Sequence, residues 1–388
     1  MKRRSVKVIV LILTVVLIIA MGLIWILIIN NTSSKNKTKD TNKKKVIKKE
    51  HRKEYKASLI MVGDALIHSN IYLDAKNEDG SYDFKPMLEY TKPIIEQYDL
   101  KYYNQETILG GKDLGLSSYP RFNSPTEVGD AFIDSGFNLV SLATNHTMDK
   151  GEEGVLRSLN YWNSKENIVK AGQYSSFDDR AQERIYDING IKYAFFSYTT
   201  WTNGLETPTG KEYLNNVYSN EKAQEDIEKV KGKVDVILVA MHWGTEYSLG
   251  VDEKQTEIAN YLSSLGVDII IGSHPHVVEP VERIGKTLVI YSLGNYISDQ
   301  IGIERLTGLM LGVDITKIEE NDTAEISVNN IRADLVYTYS KYGRGFKLYP
   351  YSKLNNIILP NYKEYYERYK SVVTERLNDI EFKPLEGE

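Results

Sequence analysis

Apolar runs that fail to alternate limit the fold of this chain more than any other feature. Leu59–Val62, Asn138–Ala143, Val234–Met241, Val267–Ile271 and Leu288–Tyr291 are strand-length and mostly apolar without alternation, and Leu100–Tyr103 is a further short run. A strand with one wet face alternates apolar and polar residues; a run without alternation suits a strand covered on both faces. Helix-like stretches lie between the runs. Pro125–Asp134 follows Ser124 as a cap, Glu152–Lys165 follows Gly151, and Glu253–Ser264 is closed by Gly266. Alternating strands and helices predict an α/β domain with a mainly parallel core sheet. Arg184–Ile188, Tyr193–Ser197, Leu309–Asp314 and Ala324–Arg332 look antiparallel, which predicts a second or mixed sheet, and Tyr362 to Leu377 predicts a surface helix.

The ends of these runs carry the chemistry. Of six histidines, five fall just after a run: His68, His146, His242, His274 and His276. Asp64 follows the first run, Glu106 follows Leu100–Tyr103, and Asn145 precedes His146, with Asp149 close behind. Loops at the carboxyl ends of sheet strands are where alternating folds build sites. Imidazole, carboxylate and carboxamide converging there form the ligand chemistry of a one- or two-metal hydrolytic centre. Asp64 offers a hard anionic oxygen, His68 can reach the same ion, and Glu106 can bridge two. Asn145 is a neutral oxygen ligand, and His146 is placed to face substrate as an acid or oxyanion donor. If His274 and His276 lie on one extended strand, both imidazoles face one pocket, with Pro275 stiffening the link. Each residue also has an ordinary structural reading: Asp64 as a turn former, Glu106 as a surface carboxylate, His146 as a satisfied core imidazole. Recurrence at five strand ends favours metal. With no cysteine in 388 residues, thiolate sites and disulfides are excluded, and manganese, iron and zinc stay open.

Val8 to Ile29 is an uncharged apolar stretch of 22 residues. As a helix it would span about 33 Å, against a hydrocarbon core of about 30 Å. Bulky to its end, it reads as an uncleaved signal anchor, with residues 1–7 cytoplasmic and 30–56 a disordered lysine-rich stalk. Eleven Lys or Arg between Lys35 and Lys56 oppose an outside placement by the positive-inside count. The short basic N-terminus and the absence of cysteine favour it, so the expectation is a single-pass membrane protein with an extracellular domain. That domain is expected over residues 57–345, with 346–388 a C-terminal extension carrying the helix. Residues 57–388 hold 33 Lys and Arg against 50 Asp and Glu, a net charge of −17, which argues against a nucleic-acid groove.

Six motifs appear in order: Gly63-Asp64 with His68; Asn104-x-Glu106; Phe122-Asn123-Ser124-Pro125; Asn145-His146 with Asp149 and Gly151; His242-Trp243-Gly244-x-Glu246-Tyr247; and Gly272-Ser273-His274-Pro275-His276, followed by Tyr291-Ser292-Leu293-Gly294-Asn295. Their order and wording resemble the CapA family of poly-γ-glutamate capsule synthesis proteins, itself similar to calcineurin-like metallophosphoesterases, over about Ser58 to Asp299. The resemblance implies a four-layer α/β/β/α metallophosphatase-like sandwich and two divalent transition metal ions. It implies one ion held by Asp64, His68 and His276, a second held by Asn145, His242 and His274, Glu106 bridging, and His146 as the acid. Asn295 and Asp299 would stand behind the ligands. The usual Asp-x-His is stretched here to Asp64 and His68, and Glu106 stands where an aspartate is usual. The implied partners are the membrane through residues 8–29, other subunits of a capsule polymer synthase, and an anionic polymer or phosphoester substrate. Two roles follow: a metal-dependent hydrolase or transferase, or a non-catalytic scaffold or export subunit of the synthase.

Overall fold

The computed structural model describes residues 16–27, 52–321 and 323–385. The chain divides into an N-terminal unit, Met1–Glu50, and a main unit, His51–Glu388. In the first, residues 16–27 are helical, with Val16, Leu17, Trp25 and Leu27 exposed. The remainder of the expected 8–29 span, residues 1–7 and stalk residues 30–51 lie outside the described residues. Among the described residues no helix is long and apolar enough to cross a membrane.

The main unit is built on two sheets. Four strands open it: β1 (Arg52–Ala65), β2 (Leu100–Asn104), β3 (Leu139–Ser141) and β4 (Val169–Ala171). They lie parallel and adjacent in that order. The chain then crosses to a second sheet of β5 (Tyr186–Ile188), β6 (Ile191–Thr199), β7 (Val236–His242), β8 (Ile269–Ser273), β9 (Val281–Ile284) and β10 (Thr287–Ile290). Here β6, β7, β8 and β10 run parallel, with β5 and β9 antiparallel at the two edges. The return to the first sheet begins with β11 (Asn295–Ile297), parallel to the end of β1. The long antiparallel pair β12 (Thr307–Glu320) and β13 (Thr323–Tyr339) follows, then β14 (Lys347–Pro350) and β15 (Glu381–Phe382), both paired to β13.

The packing explains why the runs do not alternate. Leu59 and Met61 of β1 point into a core shared with Leu238, Ala240, Ile269 and Ile271 of the second sheet. Ile60 and Val62, one residue out of phase, point the other way, into a core with Val128, Ala131 and Phe132 of the helix Glu127–Asp134. On the far side, Val239, Met241 and Ile270 pack on Ile227 and Val230 of the helix Asn220–Val230 and on Ile258 and Leu262 of the helix Glu253–Leu265. Helix, sheet, sheet and helix therefore stack in four layers, and both faces of each central strand are apolar because both are covered.

Several local expectations shift. Residues 52–56, expected in the polar stalk, extend β1 and pair with Thr316–Glu320 of β12. The tyrosine ring and alternating charges of this piece, with Lys317 over the Tyr55 ring, suit a solvent-facing antiparallel ribbon that apolar periodicity does not detect. Tyr193–Ser197 pairs antiparallel with β5 only at its start and runs parallel to β7 along its length. The helix expected to start from a Ser124 cap begins at Glu127 after Thr126, with no side-chain cap, because the Ser124 hydroxyl is bonded to Thr107 instead. The last helix stops at Val373 rather than Leu377. The helix Glu253–Leu265 carries a capping box at Asp252 and ends on Gly266 at φ 96°, a left-handed turn glycine adopts without strain.

Candidate metal centre

The carboxyl ends of β1, β2, β3, β7 and β8 meet along one rim of the two sheets, where a polar residue closes or nearly closes each strand: Asp64, Asn104, Ser141, His242 and Ser273. Two glycines allow the approach. A Cβ on Gly63 would lie 1.7 Å from the Gly294 carbonyl oxygen, and one on Gly272 would lie 1.9 Å from the Tyr291 carbonyl oxygen. The Asp64 amide can then donate to the Gly294 carbonyl at 3.0 Å, which fixes the end of β1.

Glu106 is the centre of the arrangement. Its backbone carbonyl accepts from the Thr144 hydroxyl at 2.9 Å, tying the β2 and β3 loops together. Its side chain is buried, and Oε1 lies 3.7 Å from His276 Nε2 and 3.8 Å from His242 Nε2. Neither carboxylate oxygen has a hydrogen-bond partner among the described residues, and buried Nδ1 of His274 has none either. Glu106, His274 and His276 each offer a ligand atom within 4.8 Å of the others.

The groups around this core are held in place by hydrogen bonds among themselves and to their neighbours. Asn295 donates through Nδ2 to Gln300 Oε1 and the Arg305 carbonyl, so its Oδ1 is the acceptor facing His276 Nδ1 at 3.0 Å. That places the proton on Nδ1 of His276 and leaves Nε2 as a lone pair toward Glu106. His242 has Ser273 Oγ at 3.0 Å from Nδ1 and Asn145 Oδ1 at 2.9 Å from Nε2. Asp64 accepts from Asn104 Nδ2 at 2.7 Å and from the His274 amide at 3.2 Å, and lies 3.7 Å from His276 Nδ1.

The electrostatics match a cation placed among these ligand atoms. Burial pushes the Asp64 carboxyl up to about 7. Burial, then the nearby Asp64, Glu246 and Asp149 carboxylates, pushes Glu106 well above the usual carboxylate range. Burial lowers His274 to about 4 and carries His242 and His276 well below the usual imidazole range, with neighbouring imidazoles adding to the effect. Without a cation the acids resist ionisation and the imidazoles resist protonation. A divalent cation would favour carboxylate and neutral imidazole together. The orphaned oxygens and the all-oxygen-and-nitrogen donor set fit such an ion.

Asp64, Glu106, Asn145, His242, His274 and His276 are thus brought together. His68 lies near enough to His276 for its charge to help lower that imidazole. The His68 ring meets Phe122 edge-on at 5.3 Å, and its Nδ1 lies 3.1 Å from the Leu66 carbonyl and 3.3 Å from the Asp299 amide. The other edge-on neighbour of Phe122 is His146, at 4.7 Å. His146 Nδ1 donates to Asp149 Oδ2 at 2.7 Å, and that oxygen also accepts the Phe122 amide at 2.6 Å. The side chain of Asp299 accepts from Asn70 at 2.7 Å.

His274 and His276 do not sit on an extended strand. β8 ends at Ser273, and the two histidines have φ of 96° and 60°. Left-handed backbone at two non-glycine residues costs on the order of 1–3 kcal/mol each. The rings converge through this tight turn, which His-x-His spacing does not announce. The motifs include Asn104, Phe122 and Ser273 without assigning them a role, and Asn203, which contacts Asn145 at 3.3 Å, lies outside every motif. Asn104 carries a signal, as a polar residue closing an apolar run; Asn203 sits in a loop with none.

Bacterial capsule synthesis protein PGA_cap is the family that matches residues 58–300. The PGA biosynthesis protein CapA of Bacillus subtilis is 34% identical over 176 residues, 43% of this chain and 44% of that protein. The capsule biosynthesis protein CapA of Bacillus anthracis is 25% identical over 266 residues, 64% of this chain and 62% of that one. The matched region thus spans less than two thirds of either relative. Among solved structures, the NAD nucleotidase of Haemophilus influenzae is similar at 14% identity and a TM-score of 0.43, over 86% of this chain and 65% of its own.

Proposed function

This chain belongs to the bacterial capsule synthesis protein family PGA_cap, and on that premise we propose that its buried cluster is a binuclear divalent-metal centre for hydrolysis or transfer on an envelope polymer or phosphoester. One observation carries the reading: the Glu106 carboxylate lies between two imidazole Nε2 atoms with both oxygens unpartnered. An unpaired buried carboxylate costs several kcal/mol, and a chain retains one where an ion offsets it.

In this reading Asp64, His68 and His276 would hold one ion, Asn145, His242 and His274 would hold the other, and Glu106 would serve both. Manganese, iron or zinc would polarise the substrate oxygen and favour ionisation of the attacking water. The chain's residues do the rest. Asn104 orients Asp64, Asn295 fixes the His276 tautomer, and Ser273 accepts the Nδ1 proton of His242 when Nε2 is given to a cation. Asp149 accepts the Nδ1 proton of His146, so the ring would act as an acid only in its doubly protonated form, whose Nε2 proton passes to the leaving oxygen.

The same reading places the chain at the cell membrane as a single-pass protein, anchored through residues 8–29 with the main unit outside, beside the subunits of a polymer synthase. The test is turnover of p-nitrophenyl phosphate and of γ-linked glutamate oligomers by the full-length chain in detergent, with and without added manganese, iron or zinc. Turnover that needs metal and disappears in His146→Asn supports catalysis. No turnover by a metal-loaded chain, with a His146→Asn variant that still sustains polymer formation in cells, leaves the non-catalytic synthase subunit as the better reading.

A further inference from the structure

The face of the cluster behind His276 leads outward through a stack that the ligand set does not use. The Tyr247 ring lies 5.9 Å from the His276 ring at an interplanar angle of 30°, and the Arg305 guanidinium lies 4.1 Å from the centre of the Tyr247 ring. His276 is buried while Tyr247 is 44% exposed, so the stack runs from the candidate metal ligands to solvent. Its position is over-determined. Tyr247 has a left-handed φ of 66°, and its amide donates to the Pro275 carbonyl at 2.8 Å. Its hydroxyl accepts from Gln300 at 3.4 Å, and Gln300 in turn accepts from Asn295, the residue that orients His276. Asn295 also donates to the Arg305 carbonyl at 2.8 Å. One side chain therefore fixes a metal ligand and the backbone of an arginine together.

The guanidinium itself is under-used. It donates no hydrogen bond to another described residue, and its nearest carboxylate, Glu304, is 3.9 Å from Nε, outside hydrogen-bond range. A third of the side chain is exposed, at 31%. The surroundings are acidic: Glu106 and Glu246 both act on Tyr247, and residues 57–388 carry a net charge of −17. An anionic substrate approaching such a surface needs a local cation, and a planar guanidinium matches a carboxylate or phosphate group.

We propose that Arg305, braced on Tyr247, receives an oxyanion of the substrate, a carboxylate or a phosphate, at the mouth of the candidate metal centre. This rests on the proposed site, and the test separates the two. Binding of inorganic phosphate and of tri-γ-glutamate to the full-length chain in detergent is measured by calorimetry for wild type, Arg305→Gln, Arg305→Lys and Tyr247→Ala. Each is measured with and without manganese, and metal content is determined on the same samples. Arg305→Gln is expected to keep the wild-type metal content and to bind at least one of the two anions tenfold or more weakly. Arg305→Lys should fall between, and Tyr247→Ala should follow Arg305→Gln. The anion that loses affinity identifies the chemistry received. Equal binding by wild type and Arg305→Gln, or no binding of either anion by wild type, overturns the proposal. Loss of anion binding in Arg305→Gln beside a wild type that holds no metal keeps the arginine and removes the metal centre.

Discussion

Glu106 is the residue on which the site turns, and its two states predict opposite effects on stability and function. In the metal-free chain its buried carboxyl is held far above its ordinary range. Glu106→Gln should therefore raise the thermal stability of the metal-free chain near neutral pH, by on the order of 1–3 kcal/mol, while removing metal binding. Calorimetric unfolding with chelator present checks the first half; a variant less stable than wild type would contradict it. Asp64 gives the pH dependence. Its carboxyl rises from an ordinary 3.8 to about 7, so the folded, metal-free chain holds a proton the unfolded chain releases. Its contribution to stability is present below about pH 4, is lost as pH rises toward 7, and changes little above that. Metal affinity runs the other way, weakening as acid protonates Asp64 below about 7. His274, lowered to about 4, stays neutral across that window and so does not set it. Manganese titrations at pH 5, 6, 7 and 8 check the direction. At His146, replacement by asparagine should cut turnover roughly 10²–10⁴-fold with metal content unchanged.

At the scale of elements, what the sequence revealed and what it hid divide along clear physical lines. Double-sided burial writes itself into a strand as an apolar run, so β1, β7, β8 and β10 were legible, and the residues closing those runs were legible as site candidates. Turns are less readable. Two histidines with left-handed backbone cannot be inferred from His-Pro-His, because nothing in the spacing separates an extended strand from a tight turn. The setting of His68 likewise depends on Phe122, whose ring meets those of both His68 and His146 edge-on and comes from a distant loop. Glycine contacts were invisible for the same reason, since close approach belongs to pairs of elements. Gly63→Ala and Gly272→Ala should each cost about 1–3 kcal/mol or more, because the added methyl meets backbone carbonyl oxygen rather than a side chain able to move. Denaturant unfolding measures this; a loss below half a kilocalorie per mole would mean the strand ends are looser than they stand here.

The main unit stacks two sheets face to face so that five strand ends from distant parts of the chain converge on one cluster. That convergence places carboxylates where their own charges would repel, a cost that an ion in the working protein would offset. If the proposed anchor is right, deleting residues 8–29 should move the chain from the membrane to the soluble fraction of cells without changing metal content, which fractionation and elemental analysis would show. The most direct measurement is the metal content of the full-length wild-type chain, purified in detergent after supply of manganese, iron and zinc in turn, beside Glu106→Gln and His274→Ala. About two divalent ions per wild-type chain, lost in both folded variants, is the predicted result. A folded wild-type chain that holds no divalent ion under any of the three supplies would contradict the account.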